Sequence, residues 1–281
     1  GPMGLSSAYF LRQKGHDVTI IESMPRLGGM LRYGIPEYRL PKAVLDEEIK
    51  LIESMGVKMI TNTKVGVDVS FEKIRREYDA VLLGIGAWVS TGVRCKGEDS
   101  QGVIGGIDFL RKVVRNEEID LGENVAIVGG GNTAMDACRT AVRLGAKKVY
   151  NIYRRTKNEM PADMVEITEA EEEGVIFKNL TNPIEVVADE NGRVKEVVLQ
   201  VMELGEADAS GRRRPVPVEG KTETIKVDTM ILAIGQAVDA SKFDDLDKTK
   251  KGAIAYDKDT FMTSMEGVFA GGDCGNDKIS I

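Results

Sequence analysis

A chain of 281 residues is too long for one ordinary core and suits two compact domains. Its 42% hydrophobic and 30% charged residues are globular values, and a formal net charge of −7 argues against a nucleic-acid surface. Cys95, Cys138 and Cys274 are scattered, form no C-x-x-C pair and are too few for the four ligands an iron–sulfur cluster commonly needs; the one histidine, His16, excludes histidine triads and His-rich metal sites.

No apolar run is long enough for a membrane span, and scattered thiols read as reduced cysteines of a cytoplasmic protein. The 31 glycines lie outside any low-complexity tract, which points to turns and close backbone approaches. Residues 1–14 read as a Gly-rich turn entering a helix, and Val18–Glu22 as a short strand ending in an acid. Pro41–Met55 has helical periodicity, opened by a proline and closed by Gly56. Val57–Ile60 is a predicted strand, Ser70–Tyr78 a short helix capped by Ser70, and Ala80–Ile85 a buried strand running into Gly86.

Ile107–Arg115 is a predicted helix. Val125–Val128, Asn132–Leu144 and Val149–Tyr153 then read as strand, helix and strand. Asp163–Glu173 is a helix and Val175–Lys178 a strand. Three β-rich pieces, about 183–189, 194–203 and 223–227, form a meander with turns at Asn191-Gly192 and around Gly211. Thr229–Ile234 and Val268–Ala270 are further strands, the second running into Gly271-Gly272-Asp273. The alternation predicts an α/β fold of parallel sheets with helices on both faces, the meander being the exception.

Gly129-Gly130-Gly131-Asn132-Thr133-Ala134 fits G-x-G-x-x-A between a strand and a helix, the context that motif requires. Gly129 permits the tight turn, Gly131 lets the backbone approach a pyrophosphate, and Ala134 allows helix and strand to pack closely. The helix start offers free N–H groups to the phosphates. The next strand ends in Tyr153-Arg154-Arg155. An NAD site carries an acid near this place, whereas arginines suit the 2′-phosphate of NADP. At the chain start, Gly1 and Gly4 read as the second and third glycines of a G-x-G-x-x-G motif. Glu22 then stands where an acid would meet an adenosine ribose. Two Rossmann-like dinucleotide-binding units follow from this.

With these motifs stand Gly28-Gly29-Met30-Leu31-Arg32-Tyr33-Gly34-Ile35-Pro36, Tyr38-Arg39-Leu40-Pro41-Lys42, Glu159-Met160-Pro161-Ala162 and Phe269–Asp273. Together they resemble the small (beta) subunit of bacterial glutamate synthase and its relatives. Those relatives include the flavin–NADPH portion of dihydropyrimidine dehydrogenase and the large subunit of NADH-dependent ferredoxin–NADP oxidoreductase. The resemblance covers nearly the whole chain. It implies an FAD domain, residues 1–102 and 237–281, with an NADPH domain, 103–236, inserted in it. It also implies that Gly1, Gly4 and Glu22 hold the ADP half of FAD, that Gly29 and Met30 pass near the flavin, and that Arg39 meets an FAD phosphate. Val65 would reach the adenine side, Gly86 and Ala87 would close the site, and Asp273 would take the ribityl chain. Gly129, Gly131, Asn132, Thr133, Ala134, Arg154, Arg155 and Gly235 would hold NADPH. The family's iron–sulfur segment lies ahead of the first Gly-rich turn.

The implied activity is hydride transfer from NADPH to FAD, with electrons passed to a larger catalytic subunit through an iron–sulfur acceptor. The cofactors carry that chemistry, so no catalytic side chain is assigned. A disulfide reductase would need a C-x-x-C; a nucleotide-binding or docking module without flavin is a second alternative. Arg212-Arg213-Arg214 is expected on a solvated hairpin turn, Glu169–Glu173 on a solvated helix face, and Cys274 as an inert small residue near Asp273. The FAD half is expected to show a gap between the Glu22 strand and Ala80–Ile85, where the first strand of the motif would run, and to be cut short in the helix after Asp273. Residues 103–236 are expected to form a complete sheet domain.

Overall fold

In the computed structural model, which describes residues 1–207, 211 and 213–275, the chain divides into two compact units. One is Gly1–Val89 with the chain from Gln236 onward; the other is Ser90–Gly235.

The Ser90–Gly235 unit is built on five parallel strands, in the order Val103–Gly105, Thr229–Leu232, Asn124–Val128, Lys148–Tyr153 and Ile176–Asn179. The edge strand Val103–Gly105 has no sequence signature, because three residues are too few for a period to show. The other four lie where the apolar runs predict them, within one or two residues at their ends.

Successive residues of a strand face opposite sides, so the two faces have separate partners. Val125 and Ile127 pack with Phe109, Met135, Cys138 and Ile167 of the helices Gly106–Val114, Asn132–Arg143 and Met164–Glu172. Ala126 and Val128 pack instead with Val186, Val197 and Leu199. Those three residues come from an antiparallel sheet of Thr181–Ala188, Val194–Ala207 and Arg213–Lys226. The expectation of helices on both faces is therefore corrected for this unit: helices cover one face and the meander the other. Its strands have alternating burial, so a second sheet can supply the apolar layer a helix would otherwise provide.

In the basic run, expected on a solvated hairpin turn, Arg213 and Arg214 are exposed but already belong to the strand Arg213–Lys226. The Arg213 guanidinium donates to the backbone carbonyls of Leu204 at 2.7 Å and Gly205 at 3.1 Å. Residues 208–210 and Arg212 lie outside the described residues.

In the other unit, Pro2–Gln13 and Lys42–Ser54 are helices. The second buries Leu45, Ile49 and Ile52 at helical spacing against Leu5, Ala8 and Val57. Phe71–Glu77 is a helix whose Ser70 Oγ accepts from the Lys73 N–H at 3.2 Å. Its three-residue strands fall into two parallel pairs, Thr19–Ile21 with Lys58–Ile60 and Val81–Leu83 with Val268–Ala270. Among the described residues no ladder joins the pairs. The break lies between the Glu22 strand and Val81–Leu83, where the gap is expected. Val81 and Leu82 are half-buried rather than buried as expected, Val81 packing against the core of Leu83, Phe243, Ile254 and Val268. Residues 276–281, where the expected cut helix would fall, lie outside the described residues.

Candidate functional site

The motif in the Ser90–Gly235 unit is held by contacts from three sides. Gly129 has φ +147°, and a Cβ there would stand 2.2 Å from Ala233 O and 3.2 Å from Ala134 Cβ. Only glycine fits both the torsion and the approach. Its N–H donates to Ile152 O at 3.0 Å, and Asn151 Nδ2 donates to its carbonyl at 2.9 Å. Gly130 lies under the Tyr153 ring, 2.5 Å from where a Cβ would be, and its carbonyl accepts from the Ala162 N–H at 3.1 Å. Gly131 differs: a Cβ there would meet nothing within 4 Å. It caps the helix Asn132–Arg143, which has no side-chain cap and no acid in its first turn. Open space therefore lies before uncapped N–H groups at the positive end of a helix, which is the requirement for an anion.

The Glu159–Ala162 segment belongs to this arrangement. Tyr153 Oη donates to Glu159 O at 2.8 Å, and Thr156 and Glu159 form a capping box around the turn between them. Asn132 Oδ1 accepts from the Asp163 N–H at 2.9 Å, so this predicted site side chain already braces the loop. Thr133 and Ala134 are buried behind the turn. The two arginines separate. Arg154 is exposed at the end of its strand. Arg155 is buried, and its Nε donates to Arg213 O at 2.7 Å, tying the strand end to the meander. Gly235, with φ +134°, follows the strand that abuts Gly129, and its carbonyl accepts from Thr91 N and Oγ1.

Behind the turn the same helix carries Arg139, nearly fully buried. It pairs with Glu166 at 2.7 Å, Glu169 at 2.5 Å and Glu173 at 2.8 Å, and Arg143 joins Glu173 at 2.7 Å. Arg143, by its hydrogen bond, together with Arg139 outweighs partial burial and holds the Glu173 carboxyl below its ordinary range. Within Glu169–Glu173, expected on a solvated face, Glu171 and Glu172 are exposed, while Glu169 and Glu173 turn to the arginines of the neighbouring helix, which stand one helical turn apart.

In the other unit the predicted glycines converge although they are far apart in sequence. A Cβ on Gly29, at φ +56°, would stand 2.4 Å from Gly1 Cα. Gly84 lies 3.4 Å from Gly4 N by the same measure, and Gly271 lies 2.4 Å from Met3 Cε. A Cβ on Gly4 would meet nothing within 4 Å. Residues 1–4, 28–29, 84 and 271–272 thus surround the start of the helix Pro2–Gln13. Asp273 lies half-buried just after them, in the short turn Gly272–Gly275.

Glu22 ends its strand half-buried, its Oε1 accepting from the Met24 N–H at 2.9 Å. Met30 opens the short helix Met30–Tyr33. Lys42 holds the loop after it, its ammonium donating to the carbonyls of Leu31, Ile35 and Leu40 at 3.0, 2.6 and 3.0 Å. Arg39 lies half-buried in that loop. Gly86, with φ +71°, and buried Ala87 follow the strand Val81–Leu83. Val65 packs with the core around Leu83 and Phe243 rather than with the glycines.

All three cysteines are free. Burial, the leading cause in each case, raises their thiols above the ordinary range, which favours the protonated form. Cys274 Sγ donates to Leu83 O at 3.1 Å and Gly271 O at 3.2 Å, beside Asp273 as expected. His16 is exposed. Among the described residues no group of three or more His, Cys, Asp or Glu could hold a metal, and no helix is long and apolar enough to cross a membrane. Sequence reasoning did not mark Gly84, the Tyr153 ring or Asn151. Only Asn151 carried a signal, as a polar residue inside an apolar strand.

The family description pyridine nucleotide-disulphide oxidoreductase matches residues 1–280. The chain is 48% identical over 277 residues to the NADP(+)-dependent formate dehydrogenase subunit beta of Moorella thermoacetica, covering 97% of this chain and 39% of that protein. It is 38% identical over 286 residues to the putative glutamate synthase (NADPH) small chain of Cereibacter sphaeroides, covering 97% and 69%. This chain therefore spans well under half the length of the first relative. Among solved structures, Mycobacterium tuberculosis FprA in complex with NADPH has the same fold. It superposes with a TM-score of 0.76 at 17% identity, covering 97% of this chain and 76% of that one.

Proposed function

The chain belongs to the pyridine nucleotide-disulphide oxidoreductase family, alongside the glutamate synthase small chains, and from that premise we propose that it takes hydride from NADPH into FAD and hands the electrons to a partner subunit. The carrying observation is the open, uncapped helix start at Gly131 together with an exposed Arg154 directly after the next strand. The turn receives the coenzyme pyrophosphate. Arg154 meets the 2′-phosphate, where an acid would repel it. Arg155, being buried, supports the strand end from which Arg154 projects. The chain from Ser90 to Gly235 is then the NADPH domain, set within an FAD domain made of the flanking stretches.

The FAD site is the convergence around Gly1, Gly4 and Gly29. Gly4 leaves open space at the helix start, and the contact of Gly29 with Gly1 forbids side chains that would fill the turn. Glu22 takes the adenosine ribose and Asp273 the ribityl chain, with Met30, Arg39, Val65, Gly86 and Ala87 around the remainder. When bound together, the nicotinamide supplies a hydride and the flavin accepts it. That chemistry belongs to the cofactors, so no side chain is assigned a proton transfer.

The relatives' names mention formate dehydrogenase and glutamate synthase, so one input unit serves several acceptors. An iron–sulfur acceptor outside these residues, a larger catalytic subunit and a cytoplasmic location complete the reading. The test is a spectral titration of the intact protein. A yellow chromophore bleached by NADPH is expected; a colourless preparation would favour a flavin-free nucleotide-binding module. Arg154→Ala should weaken NADPH about tenfold to a hundredfold, the equivalent of losing a charge-assisted bond of about 1.5–3 kcal/mol. NADH should be nearly unaffected, and equal loss for both coenzymes would overturn the assignment of Arg154.

A further inference from the structure

Asn151 is fully buried, yet it stands in the middle of the apolar strand Lys148–Tyr153, paired in register with Ile127. A buried amide is costly unless its groups find partners. One half is satisfied: Nδ2 donates to Gly129 O at 2.9 Å. The other half is not, because Oδ1 is buried without a hydrogen-bond donor. Leucine or valine at this position would avoid that loss and suit the strand. Core stability therefore does not explain the asparagine; its bond to the motif turn does.

The consequence for the turn follows from peptide geometry. In a planar trans peptide the C=O and N–H point in opposite directions. Asn151 draws the Gly129 carbonyl inward, toward the side of the sheet that carries Cys138 and Met135. The N–H of the same peptide, that of Gly130, is thereby aimed outward. Ala162 does the same for the next peptide: its N–H holds Gly130 O, so the Gly131 N–H is fixed as well. Two successive N–H groups whose directions are set by bonds to their carbonyls form a preorganised seat for an anion.

We propose that Asn151 is a positioning residue for the coenzyme: by holding Gly129 O it presets the peptide N–H groups of the turn for the pyrophosphate. The inference rests on the assignment of NADPH to this turn. It concerns the pyrophosphate alone, since the 2′-phosphate is met by Arg154, which directly follows the end of the same strand.

That separation supplies the test. NADP⁺ carries both phosphate groups; 2′-AMP carries the 2′-phosphate and no pyrophosphate. Both are titrated calorimetrically against the intact protein and against Asn151→Leu. The expected result is a rise of about tenfold in the NADP⁺ dissociation constant, while that of 2′-AMP stays within about twofold. Unchanged NADP⁺ affinity would overturn the proposal. So would equal weakening of both ligands, which a merely structural role would produce. If Asn151→Leu does not fold, Asn151→Val, smaller and suited to a strand, carries the same two expectations. Failure of the unsubstituted protein to bind NADP⁺ would instead overturn the coenzyme assignment, and the inference with it.

Discussion

The two glycine-rich turns of this chain are built in opposite ways. The turn at Gly129 is contiguous: strand, three glycines and helix follow one another, and a five-stranded parallel sheet surrounds the strand. The cluster around Gly1 is assembled from residues 1–4, 28–29, 84 and 271–272, and the three-residue strands of its unit stand in two separate pairs. In the first, local chain order brings most of the turn together and a few long-range bonds refine it. In the second, every close approach is long-range. The contiguous turn can therefore tolerate disturbance elsewhere in its unit, whereas the assembled one depends on its distant segments all staying in place.

Both turns nevertheless share one dependence, a glycine pressed against backbone, and the largest expected effects test it. Gly129→Ala combines a strained torsion with overlap on Ala233 O and should cost roughly 2–6 kcal/mol. Gly29→Ala, against Gly1 Cα at φ +56°, should cost a similar amount. Hydrogen exchange read by mass spectrometry should show the first substitution loosening the Ser90–Gly235 unit and the second loosening the other. Gly131→Ala is the contrast, because its methyl group meets nothing within 4 Å. It should leave exchange unchanged. Equal protection in all three variants would refute the packing argument.

The next effect is confined to the contiguous turn. Its helix is anchored by Arg139, buried among Glu166, Glu169 and Glu173. Arg139→Ala takes the buried guanidinium partner away from buried Glu166, so it should cost about 3–5 kcal/mol. Urea unfolding followed through peptides of residues 90–235 checks this. A midpoint unmoved for that unit would mean the cluster is solvated after all.

The smallest effect compares the two units in acid. The folded-state pKa of Glu173 is depressed, chiefly by Arg143 and then Arg139. That of Asp46 is also depressed, its burial being outweighed by Arg32 and Arg26. A depressed carboxyl stabilises the fold above its unfolded pKa, and that stability is lost as pH falls through the folded value. Each unit should therefore lose thermal stability as pH drops below its carboxylate's ordinary value, 4.5 for Glu173 and 3.8 for Asp46. Glu173→Gln should flatten the acid limb of the Ser90–Gly235 unit and leave that of the other unit intact. Flattening in both would show that the two titrations are not separate.

Much of this is legible in the sequence. The helix Lys42–Ser54 follows from a proline and a helical period, and the cap at Ser70 from a side chain that reaches its own backbone. The turn at Gly129 follows from glycines standing between an apolar strand and a helix. These are short-range relations, in which the groups that interact are neighbours along the chain.

What tertiary structure decided is of another kind. It placed the meander rather than helices against the strand residues Ala126 and Val128, and it gathered Glu166, Glu169 and Glu173 around Arg139. It buried Arg155 while leaving Arg154 exposed, although the two are adjacent and alike in charge. It also set Asn151 beneath Gly129 and Gly29 against Gly1. Side-chain type and period state what a residue prefers. Which partner satisfies that preference depends on how distant segments close on one another, and a linear pattern carries no term for that closure.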